Sequence, residues 1–192
     1  MTLLKFTEFV GNIFIDGKDI RRISHGELRT RITTISQDLI QFGDTVRFNV
    51  CPWTMSDSPG KDGNPEDVAI IKVLRQLGLW DFIQAKGGLD TKLCDLGLSH
   101  GQLQLLCIAR GLLHKVSFRG KLVLMDEPTS GLDIETQKLV QQVFKDTFAD
   151  CTVITVAHRV ETLSDANIIL HMDNGKVVAR TKPAELTETS AT

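Results

Sequence analysis

The stretch Leu122 to Asp133 reads LVLMDEPTSGLD, and it restricts the fold more than any other part of the chain. Leu122, Val123, Leu124 and Met125 run without alternation, the pattern of a strand buried on both faces in a parallel sheet with helices above and below. The run ends in Asp126 and Glu127. Carboxylates at the C-terminal end of a parallel strand stand at the crevice where α/β proteins take their ligands. The first acid of such a pair suits a Mg²⁺ ion, directly or through water. The second suits a water held for attack on phosphorus. Pro128 and Gly131 turn the chain, and Asp133 is placed to cap a new helix.

Composition narrows the class. A chain of 192 residues suits one domain with a sizeable core. The formal charge of −2 argues against nucleic acid as a partner, which calls for a basic excess. The four cysteines (Cys51, Cys94, Cys107 and Cys151) form no CxxC pair and no metal-ligand spacing, so free thiols in a reducing compartment are expected. No apolar run approaches the length needed to span a bilayer.

Three further stretches fall in a fixed order around the first. Leu98 to Gln102 reads LSHGQ, with Gln104 and Ala109-Arg110 following. Ser99 can cap a helix running from about His100 towards Leu113, and a helix start attracts phosphate through its free N–H groups. His158 follows the apolar run Thr152 to Ala157, expected as the next buried strand. Gln37 follows the short strand Ile32 to Ser36.

Together these resemble the Walker B and D-loop segment, the signature, the switch histidine and the Q-loop of ATP-binding cassette (ABC) ATPases, from about Gly11 to Leu186. The wording LSHGQLQLLCIARGLL is most similar to the second nucleotide-binding domain of the multidrug-resistance-associated (C) subfamily. The resemblance implies an α/β fold of the P-loop NTPase type, with a helical subdomain over about residues 42–115. It implies ATP and Mg²⁺ as cofactors. Asp126 and Gln37 would attend the metal, and Glu127, Gln37 and His158 would carry the catalysis. Ser99, His100, Gly101, Gln102 and Asp133 would meet nucleotide, the signature group reaching the ATP of another nucleotide-binding domain. Implied partners are that second domain and the transmembrane domains of a transporter, at the cytoplasmic face of a membrane.

One element of the family pattern is missing from the sequence. No G-x-x-x-x-G-K-[ST] phosphate loop occurs. Gly11 to Asp19 (GNIFIDGKD) has the wrong spacing and an aspartate where Ser or Thr belongs; it reads as a strand, Asn12 to Ile15, with a turn at Asp16-Gly17. The resemblance therefore implies a partial domain without its P-loop strand, and a sheet with unpaired edges. Two functions follow. One is the energy-coupling ATPase domain of an exporter. The other is a non-catalytic fragment lending its signature to a partner, or a truncated gene product. ABC-type DNA-repair ATPases fit poorly, because the span from Gln37 to Leu98 lacks a long heptad-bearing insertion.

Periodicity supplies the rest. Thr2 to Val10 has a helical stripe; Ser24 and Glu27 suggest a capped helix to Arg31. Cys51 to Pro65 is loop-like. Helices are expected over Glu66–Leu77, over Trp80–Ala85 and over Ile134–Phe148, the last with Leu139, Val140, Val143 and Phe144 inward. Ile168 to Ala179 reads as a hairpin around Asn174-Gly175, and Lys182 to Leu186 as a closing helix.

Overall fold

The computed structural model describes residues 2–54, 65–157, 163 and 165–183. They fall into two compact units, residues 1–155 and 156–192. The first unit opens on a single 3-10 turn, Thr2–Leu4, not the longer helix its stripe suggests. Lys5 breaks it with φ of 56° and donates from Nζ to the Ile23 carbonyl at 2.9 Å. Leu4 and Phe9 thereby turn onto a small cluster of Ile20, Leu28 and Ile32.

Strands β1 (Phe14–Ile15) and β2 (Lys18–Asp19) pair antiparallel. Asp16 and Gly17, at φ of 50° and 74°, make the turn between them, as a two-residue hairpin of this kind requires. Helix α1 (His25–Arg31) starts where the Ser24 side chain accepts the Glu27 N–H. It feeds directly into β3 (Ile32–Ile35).

Short helices follow: α2 (Val46–Val50), α3 (Pro65–Gln76), α4 (Trp80–Ala85) and α5 (Leu93–Leu96). The long helix α6 (His100–Phe118) runs five residues past the expected end and stops at Arg119, left-handed at φ of 54°. Then come β4 (Leu122–Asp126), α7 (Ile134–Phe148) and β5 (Thr152–Val156). The sheet order is β3-β4-β5, with β3 and β4 parallel and in register from Ile32↔Leu122 to Ile35↔Met125.

Helix α6 lies close on β3. A Cβ on Gly111 would come within 2.6 Å of Ile35 Cγ1, so glycine sets this approach. The main core gathers Ile35, Val123 and Met125 with Leu106, Ile108 and Leu112 of α6 and with Leu74 and Ile83 of the short helices.

Two strands differ from the reading of their apolar runs. In β4 only Val123 and Met125 reach the main core; Leu122 and Leu124 are half-buried against the smaller cluster on the opposite face. The burial is thus unequal, because the second cluster is too small to cover that face. Strand β5 is exposed: Val153 and Ile154 are 43% and 48% accessible. It stands at an edge of the sheet, and among the described residues neither side chain joins a core cluster. In α7, Val140, Val143 and Phe148 are buried, while Leu139 points outward at 43% accessible.

The second unit is the hairpin of β6 (Ile169–Asp173) and β7 (Lys176–Thr181). Its turn, Asn174-Gly175, has φ of 46° and 75°, as the sequence suggests. Most of the expected closing helix, residues 184–186, lies outside the described residues.

Candidate functional site

Strand β4 delivers Asp126 exposed at its C-terminal end, followed by a half-buried Glu127. Because Ile35 pairs with Met125 in a parallel register, the residues just past each strand share one edge of the sheet. That edge carries Gln37, which is exposed, beside Asp126 and Glu127. Three of the candidate residues therefore follow paired strand ends on that one edge. His158, just past β5, lies outside the described residues.

The chain after β4 is held tightly. Glu127 sits at φ of 41°, a left-handed conformation that costs a non-glycine residue on the order of 1 kcal/mol. Such strain persists only when the surroundings fix it, and two glutamines do so. Gln104 of α6 donates from Nε2 to the Pro128 carbonyl at 2.8 Å and accepts the Gly131 N–H on Oε1 at 3.2 Å. Gln137 of α7 donates to the carbonyls of Thr129 and Leu132 at 3.0 and 2.9 Å. Within the turn, Ser130 N–H reaches the Glu127 carbonyl at 3.3 Å and Leu132 N–H the Thr129 carbonyl at 3.2 Å.

Asp133 caps α7. One carboxylate oxygen accepts the Thr136 N–H at 3.0 Å and the other the Thr136 hydroxyl at 2.6 Å. These bonds hold its carboxyl below the usual range. Both oxygens are thus engaged locally.

The start of α6 is a reciprocal cap. Ser99 Oγ accepts the Gln102 N–H at 3.2 Å, and Gln102 Oε1 accepts the Ser99 N–H at 2.9 Å. His100 and Gly101 follow, and among the described residues no acceptor meets either N–H. Two donors at the positive end of a 19-residue helix form an anion-ready surface. The His100 ring lies against Gly131: a Cβ there would meet it at 2.9 Å. The start of α6 and the turn after β4 therefore abut.

The sequence names Gln104 and Arg110 only as part of the signature wording and gives no structural role to them or to Asn49. Gln104 is 2% exposed on the same stripe of α6 as Ile108 and Leu112, and a glutamine on a core stripe must find partners. Asn49, fully buried, accepts the Phe42 N–H at 2.8 Å and donates to the carbonyls of Phe42 and Thr45 at 2.9 and 2.8 Å. Arg110 donates to the carbonyls of Asn49 and Ile40 at 2.6 and 2.8 Å and lies 4.7 Å from the Phe42 ring centre. Together they fasten the segment that follows Gln37. In each case the signal was a polar residue within an apolar helical run.

Lys18 lies in β2, and Asp19 accepts the Arg21 N–H and guanidinium. The Gly11–Asp19 stretch is a hairpin and forms no phosphate loop. Among the described residues no three His, Cys, Asp or Glu side chains converge as a metal cage, and no helix is long and apolar enough to cross a membrane. All four cysteines are free. Burial pushes the Cys51 thiol up to about 12, which leaves it inert as a nucleophile.

Comparison with known proteins gives the family and the fold. The family pattern described as "ABC transporter" matches residues 1–130. The chain is 36% identical over 190 residues to "ABC multidrug transporter B" of Aspergillus fumigatus, covering 98% of this chain and 12% of that protein. It is 38% identical over 179 residues to human "ATP-binding cassette sub-family C member 2", covering 92% of this chain and 11% of that one. The chain thus spans about a tenth of the length of these relatives. Among solved structures, a bacterial Atm1-family ABC exporter with ATP bound superimposes with a TM-score of 0.81 at 28% identity, over 99% of this chain and 32% of that one.

Proposed function

The chain belongs to the ABC transporter family, and from that premise we propose that it acts as nucleotide-binding domain of a membrane exporter, coupling ATP hydrolysis to transport. The observation that carries this reading is the abutment of two surfaces. The capped start of α6, with the N–H groups of His100 and Gly101 open, lies against the turn that carries Glu127. One surface would read the γ-phosphate of a partner domain's ATP through Ser99, His100, Gly101 and Gln102. The other would serve hydrolysis, with Asp133 at its far end closing towards the partner.

Glu127 would orient the attacking water and accept its proton. Asp126 and Gln37 would steady a Mg²⁺ ion that arrives on the phosphates, since the described residues form no cage of their own. That ion, when bound, neutralises charge on the phosphoryl oxygens. His158 would donate a hydrogen bond to the γ-phosphate. The domain would work at the cytoplasmic face of the membrane, with a second nucleotide-binding domain and with transmembrane domains.

The 192-residue chain by itself carries no phosphate-loop pattern, and Gly11 to Asp19, the stretch nearest to one, holds the β1–β2 hairpin. This chain alone is expected to bind MgATP weakly or not at all, because the P-loop supplies the N–H cradle and the lysine for the phosphates. A fluorescent-nucleotide titration tests this, and micromolar affinity would contradict it.

The catalytic assignment is tested by fusing the phosphate-loop segment of a close relative before Met1. ATPase activity is expected to appear, and Glu127→Gln to lower turnover by about 100-fold or more while ATP binding survives. Unchanged turnover in the fused Glu127→Gln protein would remove Glu127 from its role.

A further inference from the structure

Gln104 joins the two surfaces of the site. Its buried amide uses both ends on the turn after β4, donating to Pro128 and accepting from Gly131. Only one orientation of the amide satisfies both bonds. The residue stands one helical turn from the open N–H groups of His100 and Gly101, so a shift of that helix end reaches the turn through it. The backbone of Gly131 is shaped to this contact. Its φ is not in the left-handed region, so freedom of rotation does not demand glycine. Space does: a Cβ would meet Gln104 Oε1 at 2.7 Å and the His100 ring at 2.9 Å.

We propose that Gln104 is a positioning residue that couples the phosphate-reading start of α6 to the turn carrying Glu127. When α6 meets a partner domain's nucleotide, the amide bridge tightens this chain's own catalytic turn. One site thereby reports the partner's nucleotide state to the other. The inference rests on the signature reading proposed above. It adds a route by a specific side chain, a discrete physical link as coupling between sites requires.

The test uses the whole chain, MgATP and an intact nucleotide-binding domain of a relative made hydrolysis-dead. Amide hydrogen exchange is followed at Gly131 and Leu132, and association by sedimentation. In the unmutated chain, ATP-dependent association is expected to slow exchange in the turn by about fivefold or more, the scale of one buried hydrogen bond. Gln104→Leu is expected to associate with similar affinity, since Ser99 to Gln102 are untouched, yet to show no slowing.

Equal slowing in both proteins overturns the coupling role. Loss of association in a folded Gln104→Leu also overturns it, in favour of a direct contact with the partner. If even the unmutated chain fails to associate with ATP, the signature reading falls and takes this inference with it. Should Gln104→Leu fail to fold, Gly131→Ala probes the bridge from the other side. The added methyl displaces the amide, and the same loss of slowing is expected; retained slowing rejects the proposal.

Discussion

His114 bonds the buried hydroxyl of Thr33 through Nδ1 at 3.0 Å and packs among Trp53 and Phe118, with ring centres 5.3 and 4.7 Å away. Burial holds the imidazole below its ordinary value of 6.5, a hydrogen bond with the Arg29 backbone opposing only in part. A group depressed in the folded state binds its proton more readily when unfolded. Its contribution to stability is therefore whole above pH 6.5 and is lost as the pH falls below it. The urea midpoint should decline over that window, and His114→Phe should flatten the decline. A slope unaltered by His114→Phe would assign the titration elsewhere. Of the residues with proposed chemical roles, Gln37, Ser99, Asp126 and Glu127 were singled out by the order of the family-like motifs, while apolar runs and a helix cap gave only their places at the ends of elements. The partners of Gln104, Asn49, Arg110 and Gln137 were not legible, because they are backbone groups of loops and turns, far away in sequence for Gln104 and Arg110 and nearby for Asn49 and Gln137. No local pattern says which carbonyl a buried amide will meet.

Elements were legible where one period held throughout. Helices α3 and α4 and the start of α6 fall where apolar stripes and caps put them. The 2–10 stripe failed because packing of Leu4 and Phe9 onto the small cluster outweighed a short helix's weak propensity. The face of β5 was misread because an apolar run gives the strand but not what covers it. The connection from α6 to β4 shows a constraint that no period reveals. A Cβ on Gly120 would lie 2.2 Å from the Arg31 carbonyl oxygen, backbone that cannot swing aside. Gly120→Ala is expected to cost about 1–3 kcal/mol, as overpacking of a close contact does. Gly43, exposed and with nothing within 4 Å of where a Cβ would stand, serves as the control; Gly43→Ala should stay within about 0.5 kcal/mol. Equal urea midpoints for the two variants would show that the α1–α6 junction yields more readily than its geometry implies.

Across the molecule, the two surfaces differ in which needs a partner. Gln37, Asp126 and Glu127 follow paired strand ends at one edge of the sheet, while the start of α6 carries Ser99 to Gln102 with its own cap complete. The second surface needs nothing beyond the residues present here, so it is where the proposed function is most directly exposed to test. Sedimentation of the chain with an intact, hydrolysis-dead nucleotide-binding domain, with and without MgATP, makes that test. Association is expected only with ATP, because without phosphate the helix end has no anion to meet. Ser99→Arg is expected to abolish association by filling the phosphate's place. Equal association with and without ATP, or an unaffected Ser99→Arg chain, would contradict the signature role and leave the start of α6 an ordinary capped helix.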